Sequence, residues 1–442
     1  MLAQGASLPL LAYSARCENI ANNGRGDDVR ARVSLDVLNF ALAGAREGFG
    51  PFIAVYLQAQ GFDPAATGIV MSLAGVGGLT CTTPIGAWVD RSVRKRELLM
   101  LAVAVIAVGA ITIVAAKSIY LIGFAQLLIG IGDTALAPLL AAMTLGIVGH
   151  AVFADRMSRN EAFNNAGNAT RSALAAALGY FFGLQYVAVT IVLSAVVSSL
   201  VVRGIRPDAI DHVVARAGEI DDQPTWRVLL RMRGLMLLAL VVLVYQAASS
   251  AMLPFLAEAR TAAGSDPSLT TGAMCVISRG FMVPAALLAP YVARRRGYAG
   301  VMTIVLAMVA GRAVLAYFAH SWAIVILVEM MEGLSVGMAL VAIPVLNADV
   351  MAGTGRTNAA LGLVLTTFGA GATISPLLGG FIANRFGFGG CFIAYAMVAA
   401  VGMVIWIAGR RLIRSEGRLE PAADDEAELA AEPQPNPPIA AT

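Results

Sequence analysis

The sequence has little charge and few of the residues that bind metals or form disulfides. Only 13% of its 442 residues are Asp, Glu, Lys or Arg, whereas a soluble globular domain carries about 25%. The four cysteines lie far apart with no Cys-x-x-Cys pair, and the three histidines show no metal-ligand spacing. The sequence therefore predicts neither a disulfide framework nor a metal site.

Several functional classes are excluded by what is missing. There is no G-x-x-x-x-G-K-[ST] loop to hold the phosphates of ATP, so ATP-driven transport is not expected. No group of catalytic side chains indicates an enzyme, and we expect no cofactor and no nucleic-acid partner. The start of the chain shows no clear cleavable signal peptide, because the apolar patch at 6–11 is short and follows no basic residue.

Long apolar runs are abundant. Hydrophobic residues make up 58% of the chain, and the mean hydropathy is +0.75. The runs have the length of helices that cross roughly 30 Å of hydrocarbon, whereas a barrel would show short alternating segments. We predict an all-α integral membrane protein with twelve transmembrane helices. The predicted spans are residues 34–56, 68–89, 98–116, 119–148, 162–183, 186–202, 234–257, 271–293, 300–319, 323–345, 358–383 and 390–408.

The polar stretch 203–233 separates six spans from six, and the two halves are related in sequence. A spacing of 203 residues superposes Pro51 on Pro254, Arg91 on Arg294, and Gly130 on Gly333. We therefore predict two pseudo-symmetric six-helix halves. The predicted boundaries are a flexible leader at 1–32, the first half at 33–203, a central loop at 204–232, the second half at 233–412, and a disordered acidic tail at 413–442.

The Lys and Arg residues are distributed unevenly between the loops. With the N-terminus inside, 24 of the 31 fall in cytoplasmic segments and three on the other side. Positive charge is retained on the cytoplasmic side of a membrane. The bias predicts a plasma membrane protein with both termini in the cytoplasm.

The loop between the second and third spans carries the most informative motif. It reads G-x-x-x-D-R-x-x-R-K and resembles the major facilitator superfamily signature G-x-x-x-D-R-x-G-R-[RK]. The matching residues are Gly86, Asp90, Arg91, Arg94 and Lys95. Any short cytoplasmic loop collects basic residues, but that alternative leaves the acid unexplained. The glycine is expected to let the helix end lie close to a neighbour, and the basic cluster to stay in water.

Other stretches extend the resemblance over about residues 33–410. Residues 45–51 and 159–168 look like segments of bacterial members, and 369–380 resembles the glycine- and proline-rich run of antiporters. The resemblance implies a secondary transporter of a small solute that works by alternating access, with the signature loop stabilising the outward-facing state. We expect proton-coupled efflux by a monomer in a bacterial inner membrane. The alternatives are uptake, uncoupled facilitation, or a lipid-handling or sensing protein of the same fold.

Ionisable residues inside the spans are the candidates for function, because each costs about 2.5–3.5 kcal/mol at mid-depth. Eight lie well inside spans: Arg46, Glu47, Asp133, Arg171, Arg279, Arg312, Glu329 and Glu332. Four are basic and four acidic, so pairing with one another is the structural alternative. At the repeat spacing, however, Asp133 corresponds to Val336, and Arg279 to Val76. The repeated fold does not need these charges, which favours a functional role.

Spacing and position suggest roles for six of these residues. Asp133, near mid-membrane, is the strongest candidate for a proton or a cationic group. Arg46 and Arg279 are candidates for an anionic group, and Glu47 neighbours the first of them. Glu329 and Glu332 share one helix face, where two acids are expected to hold one proton between them. Many proton-coupled efflux members carry R-x-x-Q-G in the fourth span, but here Gln126 stands in place of the arginine.

Overall fold

A computed structural model describes residues 32–149, 152–207, 229–352, 354 and 356–416. Most of these residues are helical, and none of them lies in a strand. A single-turn 3-10 helix, Leu184–Tyr186, precedes the sixth span. The α-helices run over residues 32–46, Phe52–Ala59, Pro64–Arg91, Lys95–Ala115, Ile119–Val148, Phe153–Phe182, Val187–Gly204, Arg233–Ser249, Met252–Ala262, Pro267–Tyr317, Trp322–Val350 and Thr357–Glu416.

Each of the twelve predicted spans is largely helical within the described part of the chain. Among the described residues, eight helical segments are long and apolar enough to cross a membrane, and the first and fifth predicted spans are not among them. Two of these eight segments each contain two predicted spans, because a glycine with positive φ interrupts the helix: Gly297 at φ 69° and Gly387 at φ 73°. A non-glycine residue rarely adopts this conformation, so these glycines mark the ends of the eighth and eleventh spans.

The first and seventh spans are each broken at the same position of the repeat. Residues 47–51 separate the two helices of the first span, and residues 250–251 those of the seventh. Gly48 and Gly50 turn the chain with φ of 52° and 50°. Both breaks lie in the interior of the bundle, where irregular backbone is tolerated because neighbouring groups satisfy it.

The buried apolar side chains form a core within each half. One cluster contains only residues between 38 and 205, and a second only residues between 229 and 406. A third cluster joins Val55 of the first half to residues 251–395 of the second. The halves are thus separate packing units that meet at an interface.

The halves touch mainly at one end of the bundle, which we name the sealed end. Gly68 lies so close to the eleventh span that a Cβ there would come 2.3 Å from the Pro376 oxygen. Gly272 of the eighth span packs equally closely on Ala176 of the fifth, at 2.2 Å. Small residues allow helix backbones to approach in this way. The opposite end, which carries the signature loop and the other Arg-rich loops, is named the basic end.

Candidate functional site

A cavity of about 750 Å³ lies between the two halves. Its lining comes from the first, second, fourth, seventh, eighth and eleventh spans. From the sealed end it extends towards the basic end along Gly78 and Thr82 on one side and Gly362 and Thr366 on the other. The arrangement is that of a central site between the halves, with a lining that continues towards the basic end.

Four of the predicted site residues line this cavity: Arg46, Glu47, Asp133 and Arg279. Arg46 Nε lies 4.0 Å from Asp133 Oδ1, and the two side chains are 29% and 44% exposed. This separation is too long for a hydrogen bond, and Asp133 Oδ1 has no hydrogen-bond partner among the described residues. The acid is therefore only loosely held and faces the cavity.

Glu47 is held more firmly, by arginines from both halves. Its Oε1 pairs with Arg279 of the eighth span, and its Oε2 lies 3.0 Å from Arg171 Nη2 of the fifth. Arg171 also donates to the Gly48 carbonyl at 3.1 Å, which satisfies backbone freed by the break. Arg171 was visible in the sequence as an intramembrane charge, but nothing there identified it as the partner of Glu47.

With all groups ionised, three guanidinium groups and two carboxylates leave this cluster with one excess positive charge. Gln126 adds a polar group where the resemblance led us to look for a further arginine. Its side chain lines the cavity, and its Oε1 has no hydrogen-bond partner among the described residues. The cavity can therefore receive an anionic group and offers an uncharged polar neighbour.

The structure does not bring Glu329 or Glu332 into this cavity lining. Glu332 pairs with Arg312 of the ninth span, which also donates to the Ser249 oxygens at 2.7 and 2.9 Å. Arg312 thereby caps the break of the seventh span, as Arg171 caps that of the first. Glu329 is 0% exposed, and neither of its carboxyl oxygens has a hydrogen-bond partner among the described residues. The two acids lie in different environments, and a proton shared between them stays a prediction.

The signature loop differs from expectation at its glycine. A Cβ added to Gly86 would meet no atom within 4 Å, so the expectation that this glycine permits a close approach is wrong for the conformation described here. Arg91 and Arg94 are exposed, as expected. The side chain of Asp90 lies outside the described residues, and its role as a conformational gate stays a prediction.

Lys95 corrects a second expectation about this loop. It does not stay in water but is 1% exposed, with Nζ donating to the Val89 carbonyl at 2.8 Å and to the Ser92 carbonyl at 3.1 Å. A cation at a helix C-terminus satisfies carbonyls that lack intrahelical partners. Lys95 therefore fixes the end of the second span. The side chains of Arg91 and Arg94, in contrast, are exposed on the surface of the loop.

A buried acid just beyond the end of a predicted span was missed. Glu258 lies in the helix Met252–Ala262, one residue beyond the predicted end of the seventh span, and is 1% exposed. Since the prediction placed it in a loop, it was not counted among the intramembrane charges. It lies at the sealed end, away from the cavity lining.

Sequence comparison identifies close relatives of the chain. A profile of the Major Facilitator Superfamily matches residues 35–311 and 300–439. An uncharacterized MFS-type transporter of Mycobacterium tuberculosis, found in two strains, is 33% identical over 386 residues. The match covers 86% of this chain and 92% of the relative.

Solved transporter structures share the fold at low sequence identity. A mutant form of the nucleoside transporter NupG superposes with a TM-score of 0.73 at 12% identity, covering 86% of this chain and 99% of that one. A bacterial homolog of the human lysosomal transporter Spinster, inward-facing and unoccupied, gives 0.72 at 11%, covering 90% and 99%. The D-xylose–proton symporter gives 0.62 at 12%, covering 86% and 96%. These similarities confirm the predicted helical transporter fold.

Proposed function

The chain belongs to the major facilitator superfamily and transports across the membrane, and we propose that it carries a small solute with an anionic group by proton-coupled alternating access. The predicted topology places the basic end in the cytoplasm of a bacterial cell, so that the cavity opens inward. The protein acts as a monomer, since both halves of the central site come from one chain.

The proposal rests on one observation, the loose contact between Arg46 and Asp133 in the cavity. While Asp133 is ionised, its charge offsets that of Arg46. Protonation of Asp133 removes that compensation and frees the guanidinium group for the solute anion. Proton and solute then bind together, and the two move in the same direction. The excess positive charge around Glu47 supports the same choice of solute.

Export in exchange for protons, which the sequence favours, is the second candidate. In that mechanism proton and solute must exclude each other, so the solute would place a cationic group on ionised Asp133. The exposure of Asp133, and the lack of a hydrogen-bond partner for its Oδ1 among the described residues, favour this candidate. The two candidates therefore predict opposite directions of proton movement.

Proteoliposomes loaded with a pH-sensitive dye test the proposal. Small organic anions and organic cations that raise the melting temperature of the purified protein are added outside in turn. We expect an anion to drive protons inward, and Asp133→Asn to abolish that flux. Asp349→Asn, at an exposed acid of the basic end, is the matched control and should keep it. If a cation instead drives protons outward, the mechanism is exchange and not cotransport. If Asp133→Asn shows normal proton flux, Asp133 does not take part in coupling.

A further inference from the structure

Several buried polar atoms at the sealed end lack hydrogen-bond partners among the described residues. They belong to the outer parts of the first, second, seventh and eighth spans, and the side chains are Gln58, Thr67, Glu258, Thr261 and Thr270. Buried polar groups in folded proteins are nearly always satisfied, by protein or by ordered water. Three of these side chains, Gln58, Thr67 and Glu258, meet across the interface between the two halves, which is the arrangement expected of a surface that is exposed to water in another state.

Glu258 is the only acid in this layer, and it faces the other half. Gln58 of the first span donates to the Glu258 carbonyl at 3.1 Å. The Thr67 hydroxyl of the second span faces the Glu258 carboxyl group as a hydrogen-bond donor, but neither carboxyl oxygen has a well-formed hydrogen bond among the described residues. Thr67 adjoins Gly68, where the second and eleventh spans pack closely. The carboxyl group is thus enclosed by the contact that closes this end.

Within the part of the chain that the structure describes, the elements packed around Glu258 present no cation to it. Besides Thr67 and Gln58, the titratable groups nearby are the Cys391 thiol and the Tyr395 hydroxyl of the twelfth span, which donates to the Ser375 carbonyl. Arg260, on the same helix, donates to the carbonyls of Ala319 and His320 instead. An ionised carboxylate without a cation or hydrogen bonds is very costly to bury. The closed contact therefore accommodates the protonated acid.

The other half shows that the fold does not need this acid. At the repeat spacing of 203 residues, Glu258 corresponds to Val55, which is fully buried in the apolar cluster of the sealed end. The repeat counterpart of Glu258 in the contact at the sealed end is thus an apolar side chain, so packing alone does not require an acid there.

We infer that Glu258 is a second proton-binding site, which holds the sealed end closed when it is protonated and favours its opening when it is ionised. The inference uses the alternating access proposed above, but it does not depend on Asp133. Closure of the sealed end buries the Glu258 carboxyl group, which therefore takes up a proton from the water on the side of the membrane that the sealed end faces. By linkage, acid on that side favours the inward-open state and alkali favours the outward-open state.

Distance measurements between spin labels across the sealed end test this inference. Labels are placed on Ala59→Cys in the first half and Phe386→Cys in the second, both exposed, after the native cysteines are replaced by serine. As pH rises, we expect the distance distribution to shift from the short, closed population to a longer one. Glu258→Gln, a neutral mimic of the acid, should keep the short distance at every pH. Glu97→Gln, at an exposed acid near the signature loop, should behave like the parent protein.

Two further results separate this site from the proposed coupling site. Asp133→Asn should keep the pH-dependent opening, even where it abolishes proton flux. If Glu258→Gln does not fold, infrared spectroscopy of the parent protein can still detect the carbonyl band of a protonated acid in the closed state. The Glu258→Asp substitution should remove that band or change its frequency. The Asp133→Asn substitution should leave the band unchanged. A distance that does not respond to pH, or a response that persists in Glu258→Gln, overturns the inference.

Discussion

The carboxylate of Glu47 and the guanidinium group of Arg279 form an ion pair across the boundary between the two halves. Arg171, from the same half as Glu47, holds the other carboxylate oxygen. Glu47 therefore keeps one partner whatever the relative position of the halves, whereas its contact with Arg279 depends on that position. The Glu47–Arg279 ion pair in the central cavity therefore depends on how the two halves are placed relative to each other.

Arg279→Ala should weaken solute binding without unfolding the protein. Glu47 stays compensated by Arg171, so no unpaired buried charge is created. Loss of a charged hydrogen-bond donor from the cavity should raise the solute concentration for half-maximal transport by about tenfold or more. Concentration-dependent uptake into proteoliposomes measures this. Arg295→Ala, at an exposed arginine of the basic end, is the control, and equal values for both variants would exclude Arg279 from solute binding.

The Arg312–Glu332 pair should contribute to stability rather than to proton coupling. Arg312→Ala leaves Glu332 buried without its cation and should cost about 3–5 kcal/mol of unfolding free energy. Replacing both partners by methionine should recover most of this loss, because neither charge then remains uncompensated. Thermal unfolding of the purified variants measures the difference. A double variant as unstable as Arg312→Ala would show that the pair is not what stabilises this site.

Glu329→Gln should fold normally, since the repeat counterpart of this position is already a glutamine, Gln126. If Glu329 exchanges a proton during transport, the neutral variant should lose part of the pH dependence of transport. Rates measured over a series of equal internal and external pH values test this. A pH profile identical to that of the parent protein would leave Glu329 with a structural role only.

Alanine substitutions at Gly130 and Gly86 should distinguish a glycine needed for helix packing from one needed for the conformational gate. A Cβ at Gly130 would lie 1.8 Å from the Ala74 carbonyl oxygen, so Gly130→Ala should cost more than about 2 kcal/mol. Gly86→Ala meets open space within the helix Pro64–Arg91 and should keep or slightly raise the melting temperature, because alanine favours a helix over glycine. If the signature loop closes on a neighbour in the outward-facing state, Gly86→Ala should still slow transport. Normal transport by this variant would count against that closure.

Much of the fold follows from the sequence, because the bilayer imposes a strict length and polarity on each span. The spans, the repeat at 203 residues and the central position of Arg46 and Asp133 could all be predicted. The breaks in the first and seventh spans were harder to predict from the sequence. Their glycines and prolines are visible in the sequence, but a helix kink and a complete interruption look alike at that level.

The partners of the charges could not be predicted, because pairing depends on which helix faces meet. Spacing placed Glu329 and Glu332 on one face, yet among the described residues only Glu332 forms an ion pair, with Arg312. Lys95 was expected in water because loops are usually hydrated, but its long side chain reaches back to the preceding helix. Glu258 was missed because the hydropathy pattern ended the seventh span at residue 257, whereas the helix extends to Ala262.

The two arginine-capped breaks are not equivalent, although they occupy the same position in the repeat. Arg312 anchors the second break through Ser249 and Glu332, which both belong to its own half. Arg171 anchors the first break through Gly48, but it also shares Glu47 with the opposite half. A rocking motion therefore pulls directly on the anchor of the first break through Glu47, whereas the anchor of the second break carries no such link, so the first half holds the hinge that senses the position of its partner.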